Sequence, residues 1–151
     1  QIGGSSLVDT NIAVAREDND EGLPNTYVPF RNANLLGIAV AWAEVIGASS
    51  IYIGAHEEES TYPDCRNEFF KTYERMIAVG TGPQTHIRLL TPLIELDKSA
   101  IIRQGLTLAA PLHLTWSCYQ NEQVACGRCT SCRLRLQGFR RNGVEDPIPY
   151  G

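Results

Sequence analysis

Four cysteines within fifteen positions constrain this chain more than any other feature: Cys118, then Cys126-Gly-Arg-Cys129-Thr-Ser-Cys132. The last three recur at two-residue intervals, and a Cys-x-x-Cys turn lets two thiolates from one short loop meet a single ion. Gly127 eases the tight turn between Cys126 and Cys129. Zinc takes four soft ligands in a tetrahedron, and a site whose four positions are all filled by protein holds the fold rather than doing chemistry. Four thiolates also suit an iron–sulfur cluster, although no proline follows the last cysteine and the first ligand is local. A redox disulfide would leave two thiols without a role. The expectation is structural zinc on Cys118, Cys126, Cys129 and Cys132. Cys65 stands apart and reads as a small buried hydrophobe. With five cysteines the count is odd, which argues against a fully paired secreted scaffold and for a reducing, cytoplasmic setting.

The remainder is ordinary for a globular chain. Of 151 residues, 43% are hydrophobic and 20% charged, with a net charge of −4, so disorder is excluded as the main state and one domain is expected. The longest apolar run, Leu35 to Ile46 with Glu44 inside it, falls short of the ~20 residues a bilayer needs. Gln1-Ile2-Gly3-Gly4 has neither the basic start nor the apolar stretch of a signal peptide. Residues 1–70 carry eleven acids against three arginines, whereas residues 71–151 carry ten bases against six acids. Arg128, Arg133, Arg135, Arg140 and Arg141 fall in one acid-free stretch. It reads as a solvated helix face or as a landing site for phosphate or nucleic acid, and the acidic chain as a whole argues against non-specific nucleic-acid binding.

Hydrophobic periodicity alternates between helix and strand. The first two dozen residues read as a loop or frayed lead-in, with Arg16 to Gly22 almost wholly charged and polar. Gly3-Gly4-Ser5-Ser6 lacks a strand before it and an amphipathic helix after it, so it reads as a flexible terminus rather than a phosphate loop. Asn32 to Gly47 has cap, apolar spacing and stop for a helix buried on most sides, through Leu35, Ile38, Ala39, Trp42, Val45 and Ile46. Ser50–Gly54 and His86–Leu90 read as strands. Asn67–Val79 reads as a helix with Phe69, Phe70, Tyr73, Met76 and Ile77 as its stripe, and Asp97 caps a third helix reaching about Ala109. Such alternation implies an α/β fold with a parallel sheet and helical crossovers, whose ligands collect beyond the carboxyl ends of the strands, after Gly54 and Leu90. The Glu57-Glu58-Glu59 run reads as a solvated loop, and His56, His86 and His113 share no metal spacing. Lys98, at a helix start after a strand and loop, is a candidate for meeting phosphate.

Several strings occur in a telling order: Pro29-Phe30-Arg31-Asn32, Tyr62-Pro63-Asp64-Cys65-Arg66, Thr91-Pro92-Leu93, Asp97-Lys98, Thr115-Trp116-Ser117-Cys118-Tyr119 and the cysteine cluster. Together, from about Leu23 to Gly143, they resemble the 7-cyano-7-deazaguanine synthase family of PP-loop ligases. The resemblance implies a Rossmann-like sheet of the adenine nucleotide alpha hydrolase type, with a zinc-binding loop and helix near the C-terminus at about residues 115–141. It implies ATP-dependent conversion of 7-carboxy-7-deazaguanine and ammonia to the nitrile on the route to queuosine, by a homodimer with ATP as co-substrate and no membrane partner. Carried over by position, Arg31 and Lys98 would meet phosphate or carboxylate charge. Tyr62 would stack on the ring, Asp64 would accept its N–H donors, and Arg66 would pair the substrate carboxylate. Three departures accompany the match. The family's Ser-Gly-Gly-x-Asp-Ser phosphate loop is absent, so the chain is expected to be a single α/β domain lacking its ATP-loop part, either as a fragment of a longer product or with a partner supplying it. Glu58-Glu59-Ser60-Thr61 is one residue shorter than the family's acidic loop, and Ser99-Ala100 follows Lys98 where an acid is common; both leave a related deazapurine open as substrate. Rival readings are a PP-loop enzyme that thiolates tRNA, which the C-terminal arginines would suit, and a non-catalytic zinc-bearing module.

Overall fold

The computed structural model describes residues 3–15, 22–58 and 60–151. Within them the chain forms two compact units, one running from Pro29 to Glu95 and the other joining the segment up to Val28 with Leu96–Gly151.

The Pro29–Glu95 unit is a parallel pair of strands with a helical crossover. Helix α1 (Arg31–Ile46) leads into strand β1 (Ser50–Tyr52), a 3-10 turn (Pro63–Cys65), helix α2 (Asn67–Gly80) and strand β2 (Arg88–Leu90). The strands pair in parallel, Ser50 with Arg88, Ile51 with Leu89 and Tyr52 with Leu90, as the alternation of periods implies. Both are shorter than the periodicity suggests, although Arg88 N donates to Ser49 O and Ile53 N to Leu90 O at the two ends of the ladder. The core is aliphatic and aromatic: Ala33, Leu36 and Ala43 of α1, Phe70, Tyr73 and Ile77 of α2, then Ile87, Leu89 and Ile94. The Tyr73 hydroxyl donates to Ala33 O at 2.9 Å, so even the polar atom of this core has a partner.

Helix α1 differs from expectation in two ways. It is not buried on most sides: Leu35, Ile38, Trp42, Val45 and Ile46 are all more than half exposed. The helix is apolar around nearly its whole circumference, but the core takes up only the stripe of Ala33, Leu36, Val40 and Ala43. Its amino end is not capped by Asn32 either. The helix begins two residues earlier, at Arg31 after Phe30 in a left-handed conformation (φ 57°), and no local side chain caps it. The carboxylate Oδ2 of Asp64, thirty-two residues on, accepts the Asn32 N–H at 2.9 Å instead. Gly47 ends the helix at φ 67°, a conformation open to glycine at little cost. On α2, Phe70, Tyr73 and Ile77 are buried as expected, whereas Met76 is exposed.

In the other unit, helix α3 (Lys98–Thr107) is capped as its sequence predicts, Asp97 Oδ1 accepting from Ala100 N at 2.6 Å. A second 3-10 turn (Leu112–Leu114) and the thiol loop lead to helix α4 (Thr130–Arg141). Helices α3 and α4 touch where Gly138 has no side chain: a Cβ there would lie 2.6 Å from Ile102 Cδ1 and 3.3 Å from the Lys98 carbonyl carbon. Asn142 Nδ2 fastens the same joint by donating to Ser99 O (2.9 Å) and Gly138 O (2.8 Å). Lys98 is thereby held at the first position of α3. The described residues of the leading segment form a tied-down loop rather than a frayed terminus, since Ser5 is fully buried, Ser6 N donates to Asn25 O at 2.8 Å and Asn25 Nδ2 donates to Ala13 O at 2.8 Å. The charged run at residues 16–21 and Glu59 of the acidic loop lie outside the described residues. Among the described residues no helix is long and apolar enough to cross a membrane.

Candidate functional site

The four clustered cysteines converge as their spacing requires. The sulfur atoms of Cys118, Cys126, Cys129 and Cys132 all lie within 4.8 Å of one another, and all four residues are buried. A single ion with metal–sulfur bonds of about 2.3 Å asks for sulfurs about 3.8 Å apart, so little inward movement closes the set on a metal such as zinc. Local backbone arranges this. Gly127 takes φ 67° in the turn between Cys126 and Cys129, and α4 starts at Thr130, so Cys132 lies in its first turn. Backbone N–H groups already point at the sulfurs: those of Gln120, Asn121 and Cys126 at Cys118, and that of Cys129 at Cys126, each at 3.4 Å. Burial tends to raise the Cys126 thiol pKa, but backbone donors from Arg128 and Cys129 and the neighbouring thiols outweigh it and hold the value at about 6. Burial and the Cys129 thiol push Cys132 well up. So crowded a set cannot carry four negative charges without a cation to compensate them. Cys65 is outside the cluster; it is half-buried in the other unit, where its sulfur accepts from Asn32 Nδ2 at 3.4 Å.

A second set of predicted site residues gathers at the amino end of α1. Arg31 opens that helix, while Tyr62, Asp64 and Arg66 lie in and beside the 3-10 turn between β1 and α2. Asn32 joins the two, its N–H on Asp64 Oδ2 and its Nδ2 on Asp64 O at 2.7 Å. Asp64 is buried, Tyr62 and Arg31 are half-buried, and Arg66 is exposed. The loops leaving the carboxyl ends of β1 and β2 are tied together, Glu57 N donating to Ile94 O at 2.9 Å. Glu57 is also more than a solvated loop acid, since its Oε2 accepts from Asn67 N at 2.9 Å where α2 begins. Lys98 belongs to the other unit and stands at the start of α3.

The arginine-rich helix holds a residue that sequence reasoning misplaced. Arg128, Arg133, Arg140 and Arg141 are exposed, as a solvated face requires, but Arg135 is 5% exposed. Its Nε and Nη2 grip Asp146 at 2.7 and 2.9 Å, while Nη1 donates to Thr115 Oγ1 at 2.8 Å. Arg135 shares one face of α4 with Cys132 and Phe139, three and four residues away, and that spacing was the available signal.

Comparison with known proteins decides what this arrangement belongs to. The family profile of the queuosine biosynthesis protein QueC matches residues 1–143. The chain belongs to the QueC family. Its relatives include the 7-cyano-7-deazaguanine synthases of Chlorobium phaeobacteroides, 54% identical over 99% of this chain and 67% of that protein, and of Nitratiruptor, 54% identical over 99% of the chain and 69% of that protein. The synthase of Chlorobium chlorochromatii is 53% identical over 99% of the chain and 67% of its own length. The match starts at residue 1, well before Leu23, so the leading segment is QueC sequence too. The resemblance drawn from the motifs therefore holds, and membership of QueC brings with it the PP-loop class of α/β fold.

Proposed function

We propose that this chain works as a 7-cyano-7-deazaguanine synthase, an ATP-dependent, nitrile-forming carbon–nitrogen ligase of queuosine biosynthesis. Identity of 54% to enzymes of that name, across nearly the whole chain, carries the reading. It also sets aside the tRNA-thiolating and non-catalytic alternatives.

The residues suit the chemistry. A carboxylate is a poor electrophile until one oxygen becomes a leaving group, which adenylation by ATP achieves with release of pyrophosphate. Ammonia then displaces AMP to give the amide, and a second adenylation, now of the amide oxygen, leaves the nitrile as AMP departs again. Such steps need cations against developing phosphate charge and a firm hold on the base. Arg31 and Lys98 supply the cations in this proposal. Arg66, exposed and fork-shaped, pairs the substrate carboxylate, and Tyr62 stacks on the deazapurine ring. Asp64 receives the ring N–H donors through Oδ1, because Oδ2 is engaged by α1. The phosphate cradle is assigned to sequence outside these 151 residues, within one α/β domain of the Rossmann-like, adenine nucleotide alpha hydrolase type. The support for this is the proportion of the relatives that the chain covers, about two thirds.

Zinc is assigned to the four thiols. Their mutual closeness supports one ion over a four-iron cluster, which seats each thiolate on its own iron and spreads the sulfurs further apart. Bound there, zinc supplies the positive charge that lets four buried thiolates coexist. Buried thiols with no disulfide suit the cytoplasm. A second copy of the chain is the proposed protein partner, supported by the exposed apolar stripe of α1. The deciding assay supplies ATP, ammonium and 7-carboxy-7-deazaguanine to the 151-residue chain and to the same chain joined to the remaining sequence of a relative. The joined chain should form nitrile with release of AMP and pyrophosphate. No nitrile from it overturns the function, and equal turnover by the short chain overturns the placement of the cradle.

A further inference from the structure

Three stretches far apart in sequence meet on one buried side chain beside the thiol cluster. Arg135, three residues after Cys132 on α4, holds Asp146 with two hydrogen bonds of 2.7 and 2.9 Å, Thr115 Oγ1 at 2.8 Å and Leu112 O at 3.3 Å. Thr115 and Leu112 lie just before Cys118, so one guanidinium spans the entry to the thiol loop and its exit. Asp146 carries the contact onward. Its Oδ2 accepts from the Tyr150 hydroxyl at 2.6 Å and its Oδ1 from Ile148 N at 3.3 Å.

These bonds fix a short C-terminal strap against the thiols. Ala125 N donates to Pro149 O at 2.9 Å and Gly151 N donates back to Ala125 O at 3.0 Å, a parallel bridge centred on Ala125 and Tyr150. Ala125, fully buried, immediately precedes Cys126. Ile148 packs in one cluster with the four cysteines, and Tyr150 packs against that cluster. Gly127, in the Cys126–Cys129 turn, would carry a Cβ 3.5 Å from the Tyr150 ring. The strap thus covers the loop that carries two of the four sulfurs, yet none of its residues offers a ligand atom to a metal.

We propose that Arg135, Asp146 and Tyr150 form a lock that seats the Pro147–Gly151 strap over the metal centre and sets how fast the metal can leave. They are positioning residues: they act through Ala125 and the Cys126 turn and touch no metal. A metal held by four thiolates on a short loop escapes when one end of the loop lifts, and the lock binds both ends to the strap. Partners hydrogen-bonded directly to metal ligands change metal affinity by about 10- to 100-fold in known sites, and the lock acts one contact further out. The inference rests on the zinc assigned to the thiols.

The test follows zinc transfer from the intact chain to a coloured chelator at neutral pH, beside amide exchange at Ala125 and Gly151. The variants are Asp146→Asn, Arg135→Lys and Tyr150→Phe, with Asn142→Ala as a control that loosens the α3–α4 joint of the same unit and leaves the lock intact. Asp146→Asn should bind zinc at the same stoichiometry and release it about tenfold faster or more, with faster exchange at both amides. Tyr150→Phe should give a smaller change in the same direction. Arg135→Lys, which keeps the charge but loses the fork, should fall between them. Should Asp146→Asn not fold, the other two variants carry the comparison. Equal acceleration by Asn142→Ala at matched melting temperature, or unchanged release in the lock variants, would overturn the lock alone. Absence of metal from the unaltered chain would overturn the zinc assignment and the lock with it.

Discussion

The two units of this chain are held together by different physics. Between Pro29 and Glu95 the core is Leu36, Phe70, Tyr73, Ile77, Ile87, Leu89 and their neighbours, stabilised by removing apolar surface from water. Around the thiol loop the buried set is four cysteines, Ala125 and Ile148, with Tyr150 packed against them. A buried ion pair with a side-chain exposure of 6% for Arg135 and 2% for Asp146 stands there in place of aliphatic packing, together with whatever the thiols bind. A region built from side-chain volume degrades gradually when trimmed. One built from a few directional contacts fails when a single member is lost.

The largest expected effect separates the two. Cys129→Ser should abolish metal binding and cost on the order of 10 kcal/mol of metal-linked folding energy. It would be read as loss of soluble protein or as fast amide exchange at Ala125, Cys126 and Gly151. Preserved exchange protection at those amides would mean that the thiol loop is held by packing after all. Leu36→Ala should cost about 2–5 kcal/mol through the cavity it leaves, seen in chemical denaturation and in exchange at Leu89, with metal content unchanged. Loss of metal from this variant would blur the distinction.

The smallest effect tests the polar atom of the aliphatic core. Tyr73→Phe removes the bond to Ala33 O and should cost about 1 kcal/mol. Burial holds the Tyr73 phenol above its ordinary pKa, so the folded state favours the protonated form. The contribution is therefore full below the ordinary phenol range and lost as pH rises through the raised value. Denaturation of both proteins from neutral to alkaline pH should show their difference constant at first, then shrinking. A difference that grew with pH would contradict this.

The same contrast explains what could be read from the sequence. Local signals were legible. The cysteine spacing, the Asp97 cap and the Gly47 stop act over a few residues, and the structure holds all three. The parallel pairing of β1 and β2 followed from the alternation of periods. Contacts set by distant chain were not legible. Asn32 looks like a cap by type, but the carboxylate that serves α1 comes from Asp64, and no local pattern encodes that distance. Leu35, Ile38 and Trp42 satisfy helical spacing on every side, so composition alone could not tell which stripe would find a partner. Arg135 was hidden among four arginines that do face solvent, and only its shared face with Cys132 distinguishes it. At the α1 end, the Tyr-Pro-Asp-Cys-Arg string marked the candidate residues by resemblance, while the two bonds that tie Asp64 to Asn32 at the start of α1 became visible only in three dimensions.

The thiol cluster is what the chain's second unit is built around, and elemental analysis of the purified chain tests it most directly. One zinc per chain is expected, retained when Cys65 is changed to serine and lost when Cys118, Cys126, Cys129 or Cys132 is changed one at a time. Iron in place of zinc, or metal that departs with Cys65 and survives loss of any of the four, would contradict it.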